Sequence, residues 1–138
     1  MNAKDKYVHT PLHCAIKNGL IECAHLLVEA NDINVNVQCK YGRTPLHYAT
    51  YHNHPEYVKM LLSINIIVAN AKDEYHRISL YYAARTGNVE SVHLLLAVKN
   101  IEISVKNNFN ETPLSLILHS DNSDQQQIRD LLIKHSAN

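Results

Sequence analysis

Hydrophobic and polar positions along this chain alternate between two textures. Segments with apolar residues at helical spacing recur as IECAHLLV at 21–28, PEYVKMLL at 55–62 and VESVHLLL at 89–96, and IRDLLI at 128–133 echoes them. Residues three and four apart share one helix face, so each segment predicts a short amphipathic helix. Ahead of each lies a second unit with a fixed opening. Thr10-Pro11-Leu12-His13-Cys14-Ala15 returns as Thr44-Pro45-Leu46-His47-Tyr48-Ala49, as Ile78-Ser79-Leu80-Tyr81-Tyr82-Ala83 and as Thr112-Pro113-Leu114-Ser115-Leu116-Ile117, each 34 residues after the last. Thr before Pro predicts a helix start, because the hydroxyl caps free amides and Pro gives up a donor that had no partner there. Gly19 and Gly87 predict the stop, where a left-handed residue is cheap only for glycine. Polar links with alternating apolar residues, DINVNVQCKYGR, NIIVANAKDEYHR and NIEISVKNNFNE, join the units.

Helices of eight to ten residues do not persist alone, so each pair must be held by its neighbours and stability belongs to the stack. Ala15, Ala49 and Ala83 share one position, where a small side chain lets adjacent helices approach; they read as core. The Thr-Pro-Leu-His-x-Ala opening, the Leu-rich second helix and the Asn-Ala-Lys-Asp run at 70–73 together resemble the ankyrin repeat. The resemblance covers essentially the whole chain. It implies an all-α ankyrin-repeat solenoid of stacked helix-turn-helix pairs with β-hairpin or turn links. One domain over 1–138 is expected, with repeats at about 1–35, 36–69, 70–103 and 104–138. It also implies that His13 and His47 hydrogen-bond turn backbone, and that function is protein binding.

The copies differ in readable ways. Ile78-Ser79 removes the Thr cap of the third repeat, a loss on the order of 1 kcal/mol that Ser79 is placed to offset in part. In the fourth repeat about three added residues near SDNSDQQQ predict a longer inter-helix turn, and the polar face of DQQQIRDLLIKH predicts a cap over the open end. At the turn, Gly42 corresponds to Val8, His76 and Asn110; Asn tolerates positive φ, whereas Val does so poorly. Asp5 and Asp73 are placed to bond turn amides, while Cys39 and Asn107 replace that carboxylate.

Composition narrows the function. Lys plus Arg equal Asp plus Glu at 13 each, so overall charge calls for neither nucleic acid nor an anionic membrane. The three cysteines, Cys14, Cys23 and Cys39, show no C-x-x-C spacing and argue against a disulfide framework or a zinc site. With a polar N-terminus and no long apolar run, an intracellular, monomeric protein is expected, with neither cofactor nor membrane partner. Ten histidines invite a metal reading, but His52-x-His54 lacks a nearby third ligand, so no metal site is expected. Cys14 beside His13 points to a different helix face, and no phosphate loop or H-E-x-x-H is present, so no catalytic residues are assigned.

The strongest functional signal is the aromatic series Tyr7, Tyr41, Tyr75 and Phe109, which holds one turn position in all four repeats. Aromatic side chains supply contact area at low entropic cost, so they anchor interfaces; equally, each ring can pack against the next turn and stiffen the array. The resemblance places the contact positions at the turn tips and the ends of the first helices, facing a concave surface. These are Lys6, Tyr7, His9, Lys17 and Asn18, then Lys40, Tyr41, Arg43, Tyr51 and His52. The later repeats add Glu74, Tyr75, Arg77, Arg85 and Thr86, then Asn108, Phe109, Glu111, His119 and Ser120. Six of these are Lys or Arg against two Glu, while Glu22, Glu56, Glu90 and Asp130 fall on the second helices. A basic, aromatic face with an acidic back predicts a protein partner carrying carboxylates beside apolar anchors. The reading is an adaptor, scaffold or competitive inhibitor; the alternatives are a host-directed effector, since short ankyrin proteins of intracellular bacteria and large DNA viruses share this Asn-, Ile-, Lys- and Tyr-rich composition, or a nucleic-acid binder or enzyme.

Overall fold

A computed structural model of the chain describes residues 9–30, 32–39 and 41–137. Its helices are α1 (Pro11–Lys17), α2 (Ile21–Glu29), α3 (Pro45–Tyr51), α4 (Pro55–Leu62), α5 (Ser79–Thr86), α6 (Val89–Leu96), α7 (Pro113–Ile117) and α8 (Ser123–Ser136). First helices stack as α1 on α3, α3 on α5 and α5 on α7; second helices stack as α4 on α6 and α6 on α8. Among the described residues no strand forms, and the links are turns.

Each first helix begins as its opening motif dictates. The Thr10 and Thr44 hydroxyls accept from the backbone amides of His13 and His47, and the imidazole Nδ1 atoms accept in return from the Thr amides at 3.3 and 3.0 Å. At Thr112 the Ser115 hydroxyl takes the histidine's part, accepting from the Thr112 amide at 2.8 Å. With Nδ1 accepting, the proton sits on Nε2, which donates across to the next repeat: His13 to the Arg43 carbonyl at 2.9 Å and His47 to the Arg77 carbonyl at 2.8 Å. One histidine therefore closes its own helix and holds the following turn.

The third repeat achieves the same with other chemistry. Ile78 makes no side-chain cap, and Ser79 does not restore one. Ile78 is instead buried to 1% exposure, and full burial of such a side chain contributes about 1.5–3 kcal/mol, enough to offset a missing cap worth about 1 kcal/mol. Where the histidine would stand, the Tyr81 hydroxyl donates to the Glu111 carboxylate at 3.2 Å, across the same separation of 30 residues.

Leu12, Leu46 and Leu80 are buried at equivalent positions, as are Ala15, Ala49 and Ala83. Gly19 and Gly87 follow the first helices with φ of 71° and 73°, and Asn53 takes the place between them at 60°. Outside the helices, asparagine links neighbouring repeats. Asn36 donates to the Ile66 carbonyl and accepts from the Val68 amide, and Asn70 repeats this with the Asn100 carbonyl and Glu102 amide.

The C-terminal pair differs from expectation in where its extra residues go. The connection from Ile117 to Ser123 is longer than the others, but Ser123–Gln127 lie within α8, which runs for 14 residues. The added residues thus supply another helical turn as well as a loop. Gln125 uses it to donate to the Arg85 carbonyl at 2.9 Å, tying α8 to the end of α5. Ile128 and Leu132 face the core, while Asp124, Gln127, Asp130 and Lys134 stay exposed, which gives the array a polar end.

Candidate binding face

The turn tips are built alike. In 39–42, 73–76 and 107–110 the fourth amide donates to the first carbonyl at 2.8, 2.9 and 3.0 Å, and the fourth residue (Gly42, His76, Asn110) has φ of 71°, 62° and 63°. Successive tips are joined, Glu74 N–H to the Tyr41 carbonyl at 2.8 Å and Asn108 N–H to the Tyr75 carbonyl at 2.9 Å. At Gly42 a Cβ would stand 2.9 Å from the Glu74 nitrogen. Gly42→Ala is therefore expected to cost about 2 kcal/mol through strain and a displaced tip. Chemical denaturation measures this; an unchanged midpoint would show that the tip relaxes freely.

Asp73 organises the central tip. It is 6% exposed; Oδ1 accepts from the Tyr75 and Arg77 amides, both at 2.9 Å, and Oδ2 accepts from the Tyr82 hydroxyl, with Arg43 Nε at 3.7 Å. Burial and then the Asp73 carboxylate push the Tyr82 phenol up to about 12. Asn107 reproduces the two amide bonds in the next tip, to Phe109 and Glu111, so the amide oxygen replaces the carboxylate fully in this role. Its Nδ2 also donates to Glu111, whose carboxyl is held below its usual range first by that bond and then by Tyr81.

Between the first two repeats the equivalent residues are His9, Cys39 and Tyr48. His9 Nε2 meets the Tyr48 hydroxyl at 2.7 Å and Cys39 Sγ lies 3.4 Å from it. Burial raises the Tyr48 phenol above its ordinary range. An Arg43–Asp73–Tyr82 junction, built on a guanidinium and a carboxylate, thus follows one built on imidazole, thiol and phenol.

The face positions named from the sequence divide into framework and surface. Arg43 lies 5.5, 5.4 and 5.6 Å from the ring centres of Tyr41, Tyr51 and Tyr82; Arg77 lies 5.2, 4.9 and 5.7 Å from those of Tyr75, Tyr81 and Phe109. Guanidinium groups connect the aromatic series, and Arg77 spans from its own tip to the next. His9 is buried, and Tyr75 and Glu111 are half-buried. Lys17, Glu74 and Arg85 are exposed, as are Tyr41, Tyr51 and Phe109 at 41%, 41% and 64%. Lys6, Tyr7, Lys40, Asp5 and Val8 lie outside the described residues.

The fold brings part of this set into one cleft of about 290 Å³ between the first two repeats. His9, Lys17, Arg43 and His52 supply its nitrogen groups, and Tyr41, Tyr48 and Tyr51 its rings. Tyr48 is absent from the sequence-based set, although its recurrence as Tyr82 after the motif's fourth residue was a visible signal. The His52 ring stacks on Tyr48 at 5.8 Å and 7°. Burial, then His54, Lys17 and Arg43, lowers its affinity for a proton. A groove of about 280 Å³ on the other side, between α6 and α8, mixes His93, Asp130 and Lys134 with Val89 and Leu131 and lacks this single-signed character.

Among the described residues no group of three potential ligands could hold a metal, and no helix is long and apolar enough to cross a membrane. Residues 1–73 match the family model described as ankyrin repeats (3 copies), and no curated protein matches the chain. Beyond that match the same helix pairs, tip-to-tip bonds and cross-repeat links continue to the C-terminal pair. The chain belongs to the ankyrin repeat family, whose members generally bind other proteins and typically do no catalysis.

Proposed function

We propose that this chain is a protein-interaction module, an adaptor, scaffold or competitive inhibitor, that holds its partner against the turn tips and first helices. The observation that carries this is the exposure of Tyr41, Tyr51 and Phe109 on that one face beside a cation-lined cleft. Large aromatic side chains left in water on a rigid frame are the usual anchors of an interface, and neighbouring cations steer an acidic segment toward them. The three free cysteines suit a reducing, intracellular setting.

Affinity capture from cell lysate tests the reading, comparing the native chain with a folded Tyr41→Ser, Tyr51→Ser variant. Tyr51 is the better second site than Tyr75, which Arg77 half covers. A partner held by the native chain and lost from the variant supports the face. Equal capture by both contradicts it.

A further inference from the structure

The cleft between the first two repeats has a feature that general protein binding does not require. Lys17 at the end of α1, Arg43 from the tip and the imidazoles of His9 and His52 line it together, and among the described residues none of its lining is acidic. Aromatic rings form the remaining wall. The Lys17 ammonium and the Arg43 guanidinium bring like charge into this half-enclosed space, and an entering anion relieves their repulsion, the more so where local polarity is low.

We propose that this cleft receives a single carboxylate side chain of the partner, an Asp or Glu flanked by an apolar residue, and that His52 takes up a proton as the carboxylate enters. The inference rests on the turn-tip and first-helix face being the binding face. Arg43 has Asp73 on its buried side and three rings around it, so its guanidinium is held in a fixed place in the cleft wall. Lys17 is exposed and supplies the adaptable ammonium. His52 lies at the C-terminal end of α3, stacked on Tyr48 and edge-on to Tyr51 at 5.1 Å.

The groups facing His52 can be followed element by element. α1 presents Lys17, the tip presents Tyr41 and Arg43, and its own helix presents Tyr48 and Tyr51. His54 in the following loop stacks at 6.5 Å, with Glu56 beyond it at 3.5 Å from His54 Nδ1. His9 lies across the cleft, engaged with Tyr48. Burial first, then the neighbouring His54, Lys17 and Arg43, lowers the proton affinity of the free His52 ring. A carboxylate beside the ring offsets Lys17 and Arg43, so its entry raises the imidazole's proton affinity. By linkage, binding then strengthens as pH falls through the interval between the free and bound values, and is pH-independent above it. A carboxamide of the same shape does neither.

NMR titration of the isotope-labelled full chain tests this with two peptide probes, acetyl-Leu-Glu-Leu-amide and acetyl-Leu-Gln-Leu-amide, raised to tens of millimolar. The Glu peptide is expected to shift the His52 ring and Lys17 ammonium signals and to move the His52 titration upward. The Gln peptide is expected to leave that titration in place, and Lys17→Gln is expected to weaken the Glu peptide several-fold. Following each imidazole separately distinguishes His52 from His9. Equal effects of the two peptides, or none from either, overturn the proposal, and so does an equal upward shift with inorganic phosphate at matched concentration, which marks an unselective anion site. Loss of the cleft assignment while Tyr41 and Tyr51 still govern capture leaves the binding face intact, so the two failures are distinguishable.

Discussion

Asp73→Ala is expected to lower stability by about 3–5 kcal/mol, whereas Asp73→Asn is expected to cost only about 1–2 kcal/mol. The Ala side chain leaves two turn amides, the Tyr82 hydroxyl and the inner side of Arg43 without their acceptor. Buried donors left without an acceptor, beside a half-buried charge left without its partner, are among the costlier single defects. The Asn side chain keeps the two amide bonds, as Asn107 does one repeat later, and loses only the negative charge toward Arg43. Urea denaturation of the three chains measures both differences. Equal losses from the two substitutions would shift the weight from turn closure to the ion pair with Arg43.

His47→Ala is expected to cost a similar amount, about 3–5 kcal/mol, because it combines a cavity with an unsatisfied carbonyl. His47 is fully buried, accepts from Thr44 and donates to Arg77, so one substitution opens the α3 cap and releases the third turn. Its protonation has the same target. Burial, the largest cause, outweighs the bond to the Arg77 carbonyl and holds the folded-state value below the ordinary one. Protonating Nδ1 would also turn an acceptor for the Thr44 amide into a donor. The sign follows: the stabilisation is fully present above the unfolded value of about 6.5 and is lost as pH falls toward the folded one, at about 1.4 kcal/mol per unit of depression. Stability measured from neutral to mildly acid pH should therefore decline, and His47→Gln should flatten the decline. A profile unchanged by that substitution would remove His47 as its source.

Much of this architecture is legible in the sequence because its rules are local. Thr-Pro capping, the glycine stops at Gly19 and Gly87 and the period of the apolar face depend on residues within one or two turns of each other. His13 and His47 bond the next turn as the resemblance implied. The links across repeats are harder to read, since they join residues 30 or more positions apart whose partners are set by how the pairs stack. Asn36 and Asn70 stood at the repeat spacing without declaring what they bridge. Arg43 and Arg77 read as surface cations, yet they lie half-buried among rings, because Tyr82 and Phe109 of the next repeats close over them.

Ile78 shows why a lost motif residue need not mean a weak repeat. The cap is absent, but the side chain enters the core and Tyr81 rebuilds the cross-repeat link through Glu111. Asn107 makes the same point at the tip, where its amide does the work of a carboxylate. Substitutions of this kind keep the frame while changing the chemistry presented beside it, from the His9–Cys39–Tyr48 junction to the Arg43–Asp73–Tyr82 one. A repeated frame with varied tips is suited to recognition.

On the proposed function, the partner sits on the turn tips and first helices. Site-directed photocrosslinking tests it most directly, with a benzophenone side chain placed at Tyr51 on that face or at exposed His93 on the α6 side. One partner is expected to be captured covalently from Tyr51 and not from His93. Capture of that partner from His93 alone would place the binding surface on the opposite side and overturn the proposed function.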